Sequence, residues 1–182
     1  SFYLESLAAT LRIGAVTTLA TLIIGYPLAH WMAQTRSRLV HALLLMAVIL
    51  PLFVGNAVRA AGWMVLFGNR GVVNSILIGL GITREPLQIM YTEFAVVVGV
   101  IAVNLPFVVL TLQAVLEGID RAIEEAALGL GAGPWRTFRH VILPLAMPGV
   151  IASTILSFIL AMNAYATPVL LGGPTFQMMG PT

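Results

Sequence analysis

The longest amphipathic, charged stretch in this sequence is Glu124 to Pro144, which reads EEAALGLGAGPWRTFRHVILP. Its glycines, Gly129, Gly131 and Gly133, alternate in a way that invites a phosphate-cradling loop. No strand pattern precedes them, their spacing is wrong, and the chain contains no Lys to serve such a loop. No nucleophile, base and orienting group fall into one set, so catalysis is not expected. His30, His41 and His140 lie too far apart for metal-ligand spacing. With Cys at 0, neither a disulfide framework nor a thiolate metal site is possible. What remains is recognition. A polar, amphipathic segment set between two long apolar ones points to a docking element.

The local pattern supports that reading. Over Glu117 to Leu130 the residues Ile119, Ile123, Ala126, Ala127 and Leu130 recur at helical spacing, and Asp120, Arg121, Glu124 and Glu125 fill much of the rest. Acids early in such a helix suit its positive end. The run Gly129 to Pro134 then breaks it, since Gly admits left-handed angles and Pro cannot continue a helix. A second short helix is expected from Pro134, a favoured first helical position, carrying Trp135, Arg136, Phe138, Arg139 and His140. Leu143-Pro144 then returns the chain to apolar sequence. The expected product is a helix-break-helix knob spanning residues 117–145.

The elements that must hold this knob are membrane spans. Of the 182 residues, 59% are hydrophobic and only 9% charged, against about 25% charged in soluble domains. All nine cations are Arg and they are scattered, which argues against nucleic-acid binding. A span needs roughly 20 apolar residues. Four stretches qualify: Leu7 to Ala33, Ala42 to Phe67, Tyr91 to Leu116 and Ala146 to Leu171. None has the build of a cleavable secretory signal. Val72 to Leu80 is too short to span and reads as an interfacial or re-entrant helix. The loops carrying Arg36 and Arg38, and Arg121, Arg136 and Arg139, outweigh the opposite side with Arg70 and Arg84, which places the knob in the cytoplasm. Ser1 and Thr182 then fall on the outer side.

Polar groups inside the spans are few. Prolines occur in each, at Pro27, Pro51, Pro106 and Pro168, where they kink helices and fit a bundle that opens and closes as well as ordinary packing irregularity. Glu93, Asn104, Asn163 and Tyr165 are candidates for lining a translocation path, because polar groups at membrane depth face the bundle or a wet cavity. Helix-to-helix hydrogen bonding is the plainer account of the two Asn residues. Arg12 and Arg59 are expected to snorkel to the interface. Small residues such as Gly14, Gly25, Gly55, Gly62, Gly99 and Gly149 allow close helix approach.

With these features in place, the knob resembles the signature loop of bacterial ABC importer permeases: Glu-Ala-Ala, three residues, Gly, nine residues, then Ile-x-Leu-Pro. Glu125, Ala126, Ala127, Gly131, Leu143 and Pro144 match, and Val141 stands where the family usually has Ile. The resemblance implies an all-α transmembrane bundle formed as a single domain over 1–182, with about four spans here and six in a full chain, so that one helix is missing at each end. It implies a multi-pass protein of the bacterial inner membrane. It also implies that the knob sits in a cleft on a separate ATP-hydrolysing subunit and carries nucleotide-driven motion to the spans. Glu125 would offer a charged contact, Ala126 and Ala127 would keep the helix slim, and Gly131 would make the turn, with Gly133, Trp135 and Arg136 completing the surface. The implied partners are a dimer of ATPase subunits, a second permease subunit, a periplasmic or lipid-anchored solute-binding protein and membrane lipid. The chain itself needs no cofactor; ATP and Mg belong to the partner.

Two further stretches, Val58 to Gly68 with Gly71 and Asn74, and Ala166 to Pro174, look like the spermidine/putrescine permease subgroup. That resemblance implies polyamine import. Opines, phosphonates, amino acids and ferric iron are the alternatives among importers. A channel or secondary transporter is the rival class, but its coupling acids belong near mid-membrane. The one acid inside a span, Glu93, lies near an end.

Overall fold

In the computed structural model, residues 2–83, 85–164 and 166–172 are described. Ser1, Arg84, Tyr165 and residues 173–182 lie outside that set, and with them the expectations placed on Tyr165, Arg84, Gly173, Pro174 and the two termini.

The described residues form helices α1 (Phe2–Gln34), α2 (Arg38–Ile49), α3 (Asn56–Phe67), α4 (Val72–Gly79), α5 (Glu93–Glu117), α6 (Arg121–Gly129), α7 (Pro134–Thr137), α8 (Leu143–Met162) and α9 (Ala166–Gly172). Three continuous helical stretches are long and apolar enough to cross a membrane: Leu7–Gln34, Glu93–Glu117 and Pro134–Met162. The 28 residues of the first rise about 42 Å, beyond the roughly 30 Å of a hydrocarbon core, so one of its ends stands in the headgroup region or past it.

The second expected span, Ala42 to Phe67, is interrupted. α2 runs into a tight 3-10 turn at Leu50–Phe53, Val54 is extended, and α3 begins only at Asn56. Pro51 sets the break, because it lacks an N–H and crowds the preceding turn. Arg59 then donates from Nη2 to the Pro51 carbonyl and to the Val54 carbonyl at 2.9 Å. Its guanidinium therefore satisfies backbone freed by the break rather than snorkelling to an interface. The fourth expected span also differs. Its helix starts at Pro134 and stops at Met162, so Pro168 lies in the separate α9, and the prolines inside this span are Pro144 and Pro148.

α5 is the central post. It packs most extensively on α1, then on α8 and α9. Two apolar clusters form around it. Ile13, Phe67, Met90, Val96, Val100 and Leu171 gather at its Glu93 end, while Met32, Val108, Val109, Leu112, Ile142 and Ala146 gather at its knob end. Glycines set the helix spacing. A Cβ at Gly149 would lie 2.8 Å from Val115 Cβ, and one at Gly99 would lie 2.6 Å from Leu171 and from Thr167. Gly55 and Gly62 meet no neighbour within 4 Å.

α4 occupies Val72–Gly79, matching the expected short helix. It is held by Asn74, which is fully buried. The Asn74 amide donates to the carbonyls of Gly68 at 3.1 Å and Leu87 at 3.0 Å, and its Oδ1 accepts from the Leu87 N–H at 2.8 Å. One side chain thus ties the turn before α4 to the loop leading into α5.

Candidate functional site

The knob is built from the end of α5 onward. Gly118 ends α5, and Asp120 caps α6 by accepting from the Ala122 N–H at 2.9 Å, a bond worth about 1 kcal/mol in such a cap. The sequence pattern predicts one helix over 117–130; the break at Gly118–Asp120 divides it. α6 closes with Leu130 N–H donating to Ala126, Gly131 N–H to Leu128 and Ala132 N–H to Ala127, at 3.0, 3.0 and 3.1 Å. Gly131 takes φ +85°, the left-handed angle that ends a helix and that Gly adopts without strain. α7 then starts at Pro134, as expected.

No residue of α6 is buried. Of the anticipated apolar face, Ile123, Ala126 and Leu130 are exposed, Leu130 by 90%, while Ile119 and Ala127 are half-buried; Leu128 and Trp135, outside that face, are 42% and 70% exposed. Glu125, Ala126, Gly131, Gly133 and Arg136 are exposed beside them. The structure brings these residues onto one protruding element.

Leu143 and Pro144 open the apolar helix α8. They lie inside the continuous Pro134–Met162 helix. Phe138–Ile142 forms one wide π turn, with the Leu143 N–H reaching the Phe138 carbonyl five residues back. Such a turn accommodates Pro144, which has no N–H to donate, so the helix runs on from the knob into α8.

The knob also grips the end of α1. Arg121 Nη2 donates to the Ala33 carbonyl at 3.1 Å, and Gln34 Nε2 lies 3.3 and 3.4 Å from the two Glu124 carboxylate oxygens. Trp135 stacks on Phe138, with ring centres 5.5 Å apart. Phe138 in turn meets Tyr26 and His30 of α1 edge-on, each at 5.8 Å. Behind this contact opens a polar cavity of about 560 Å³, walled by His30, Gln34, His41, Glu117, Arg121 and Glu124. Gln113 braces it, donating to Glu117 at 3.0 Å beside His41 at 3.4 Å.

The three described candidate path residues, Glu93, Asn104 and Asn163, each bond to a different partner. Glu93 is ion-paired with Arg12, its Oε1 accepting from Arg12 Nε at 3.1 Å, so the largely exposed Arg12 side chain bridges α1 to α5. Asn104 is buried and donates to the carbonyl and hydroxyl of Ser157 at 3.0 and 3.3 Å, joining α5 to α8. Asn163 is exposed and donates back to the Ile159 carbonyl of its own helix at 2.8 Å. Among the described residues no hydrogen bond joins these three.

Comparison with known proteins places this arrangement. Residues 21–182 match the family described as binding-protein-dependent transport system inner membrane component. The chain belongs to this family. It is 37% identical to the spermidine/putrescine transport system permease protein PotB of Haemophilus influenzae, over 94% of this chain and 59% of that protein. It is 35% identical to PotB of Escherichia coli, over 98% and 64%. It is also 36% identical to the molybdenum transport system permease protein ModB of Azotobacter vinelandii, over 93% and 73%. The chain thus spans less than two thirds of either PotB relative. The fold is that of a bacterial alginate ABC transporter solved in complex with an alginate pentasaccharide-bound periplasmic protein, with TM-score 0.75, 20% identity, and coverage of 95% of this chain and 62% of that one. Family and apolar helices together make this a multi-pass protein of the bacterial inner membrane.

Sequence reasoning missed three features, two ties at the Glu93 end of α5 and the π turn that leads from the knob into α8. The Arg12–Glu93 pair had a signal, opposite charges at corresponding ends of the first and third spans. Asn74 had one too, a lone amide within a short apolar helix. The π turn had none beyond Pro144.

Proposed function

We propose that this chain is the membrane-spanning permease subunit of an ATP-driven importer, with 1–182 acting as a single transmembrane domain and 117–145 as its coupling loop. The observation that carries this reading is the knob: a capped, glycine-terminated helix α6, then a second helix from Pro134 that runs on into a spanning helix, with Ile123, Glu125, Leu130 and Trp135 exposed across the two. An exposed apolar and charged tip on a continuous helical stem suits a cytoplasmic ATPase subunit, which supplies the ATP and Mg chemistry that this chain's residues do not. A second permease subunit and an external solute-binding protein complete the assembly, the latter by analogy with the alginate transporter.

The cargo is a polyamine such as spermidine or putrescine, on the strength of the similarity to the two PotB proteins over nearly the whole chain. Asn104, Glu93, Asn163 and Tyr165 are the candidate path residues. A second reading, an oxyanion cargo, rests on the similarity to ModB. Uptake of labelled spermidine and of labelled molybdate, by cells carrying the full transporter as their one source of uptake, separates the two. Saturable, ATP-dependent spermidine uptake supports the polyamine reading; molybdate uptake without spermidine uptake overturns it.

A further inference from the structure

Three contacts converge on the last turns of α1. Arg121 holds the Ala33 carbonyl, Glu124 faces Gln34, and Phe138 packs edge-on against Tyr26 and His30. Tyr26 and His30 themselves stack with ring centres 6.2 Å apart and planes 16° apart, so they form one platform on α1. Pro27 lies within that platform and removes a helix hydrogen bond to the turn before it. α1 is therefore one backbone hydrogen bond short at this point, the place where a helix bends most easily.

On the other side, Phe138 stacks on Trp135 with planes 25° apart, and Trp135 stands at the exposed tip. The rings therefore form a continuous train from the tip to α1. Edge-to-face and offset-stacked rings resist sliding, because each has a preferred geometry set by its quadrupole. The two polar contacts fix the same segment against α6. By contrast, among the described residues no polar contact joins α6 to α2.

We propose that Phe138 is a positioning residue through which the knob moves α1, so that α6 and the Pro27–Gln34 segment shift as one body when the tip is displaced. This rests on the reading of the knob as an ATPase-docking element. It goes further in naming α1 as the helix that the knob drives and the Trp135–Phe138–Tyr26/His30 train as the linkage.

The test uses the full transporter in proteoliposomes, with ATP hydrolysis and solute uptake measured in the same sample. Phe138→Leu keeps an apolar side chain but removes the ring; Phe138→Tyr keeps the ring. Phe138→Leu is expected to hydrolyse ATP while uptake per ATP falls roughly three- to tenfold, the worth of one aromatic pair, and Phe138→Tyr is expected to restore it. The chain's lack of Cys allows a second measurement that does not depend on these variants folding. Spin labels at Trp31→Cys on α1 and Leu128→Cys on α6, both exposed positions, report the distance between the two bodies. That distance is expected to stay constant between nucleotide-free and ATP-bound states. A nucleotide-dependent change in it, or an unchanged ratio of uptake to ATP in Phe138→Leu, overturns the proposal. Absence of ATP-driven uptake in the parent transporter overturns the functional reading instead.

Discussion

Asn74→Ala isolates the contribution of one buried amide. The substitution removes three hydrogen bonds, to Gly68, to Leu87 and from Leu87. The losses are unequal. The Gly68 carbonyl still accepts from the Gly71 N–H at 2.8 Å and the Leu87 carbonyl from the Ile89 N–H at 3.0 Å. The Leu87 N–H is left with no protein partner. At about 1 kcal/mol per lost bond, and somewhat more for the orphaned donor, the loop between α4 and α5 loses about 3 kcal/mol of local stability. Since 1.4 kcal/mol is a factor of ten, the Leu87 amide should exchange its hydrogen roughly 100-fold faster. Hydrogen exchange read by mass spectrometry on the reconstituted protein checks this, with the peptide around the buried Leu112 as the unaffected reference. A change below about threefold at Leu87, against that estimate, would refute the assignment of Asn74 as the tie.

Other substitutions test other parts of the account. Gly149→Ala places a Cβ 2.8 Å from Val115 and should destabilise the α5–α8 contact by about 1–3 kcal/mol in thermal unfolding, whereas Gly62→Ala, with nothing within 4 Å, should be neutral or mildly stabilising; equal effects would contradict the packing. Arg12→Glu and Glu93→Arg should each lower thermal stability and the double exchange should recover it, while additive losses would show that the pair is not coupled. Leu130→Ser at the 90% exposed tip should leave stability within about 0.5 kcal/mol yet weaken co-purification of the ATPase subunit, and retained co-purification would exclude this tip as a docking surface.

The long spans were legible because uninterrupted apolar sequence over 20 or more residues has one stable solution in a bilayer. The tip of the knob was legible because Gly131 and Pro134 are punctuation with local causes, a positive φ and a fixed φ, whereas the Asp120 cap that divides the expected 117–130 helix went unread. What escaped was long-range. The second span reads as continuous because Leu50, Leu52 and Phe53 are as apolar inside a turn as inside a helix, and only Pro51 and Gly55 mark the break. The start of the fourth helix at Pro134 depends on a π turn that accommodates Pro144, and residue spacing carries no record of such a turn. Asn104, read as a path residue or a helix tie, makes its hydrogen bonds to Ser157, 53 positions away, and periodicity cannot pair the two.

The central claim is that residues 117–145 couple ATP hydrolysis to solute movement. Gly131 decides it most directly, because its φ of +85° shapes the tip while no neighbour lies within 4 Å to be disturbed. The measurement is ATP-driven spermidine uptake by the full transporter in proteoliposomes, comparing parent with Gly131→Asp at equal membrane insertion. Loss of uptake together with weakened ATPase attachment is the predicted result. Undiminished uptake in Gly131→Asp would contradict it.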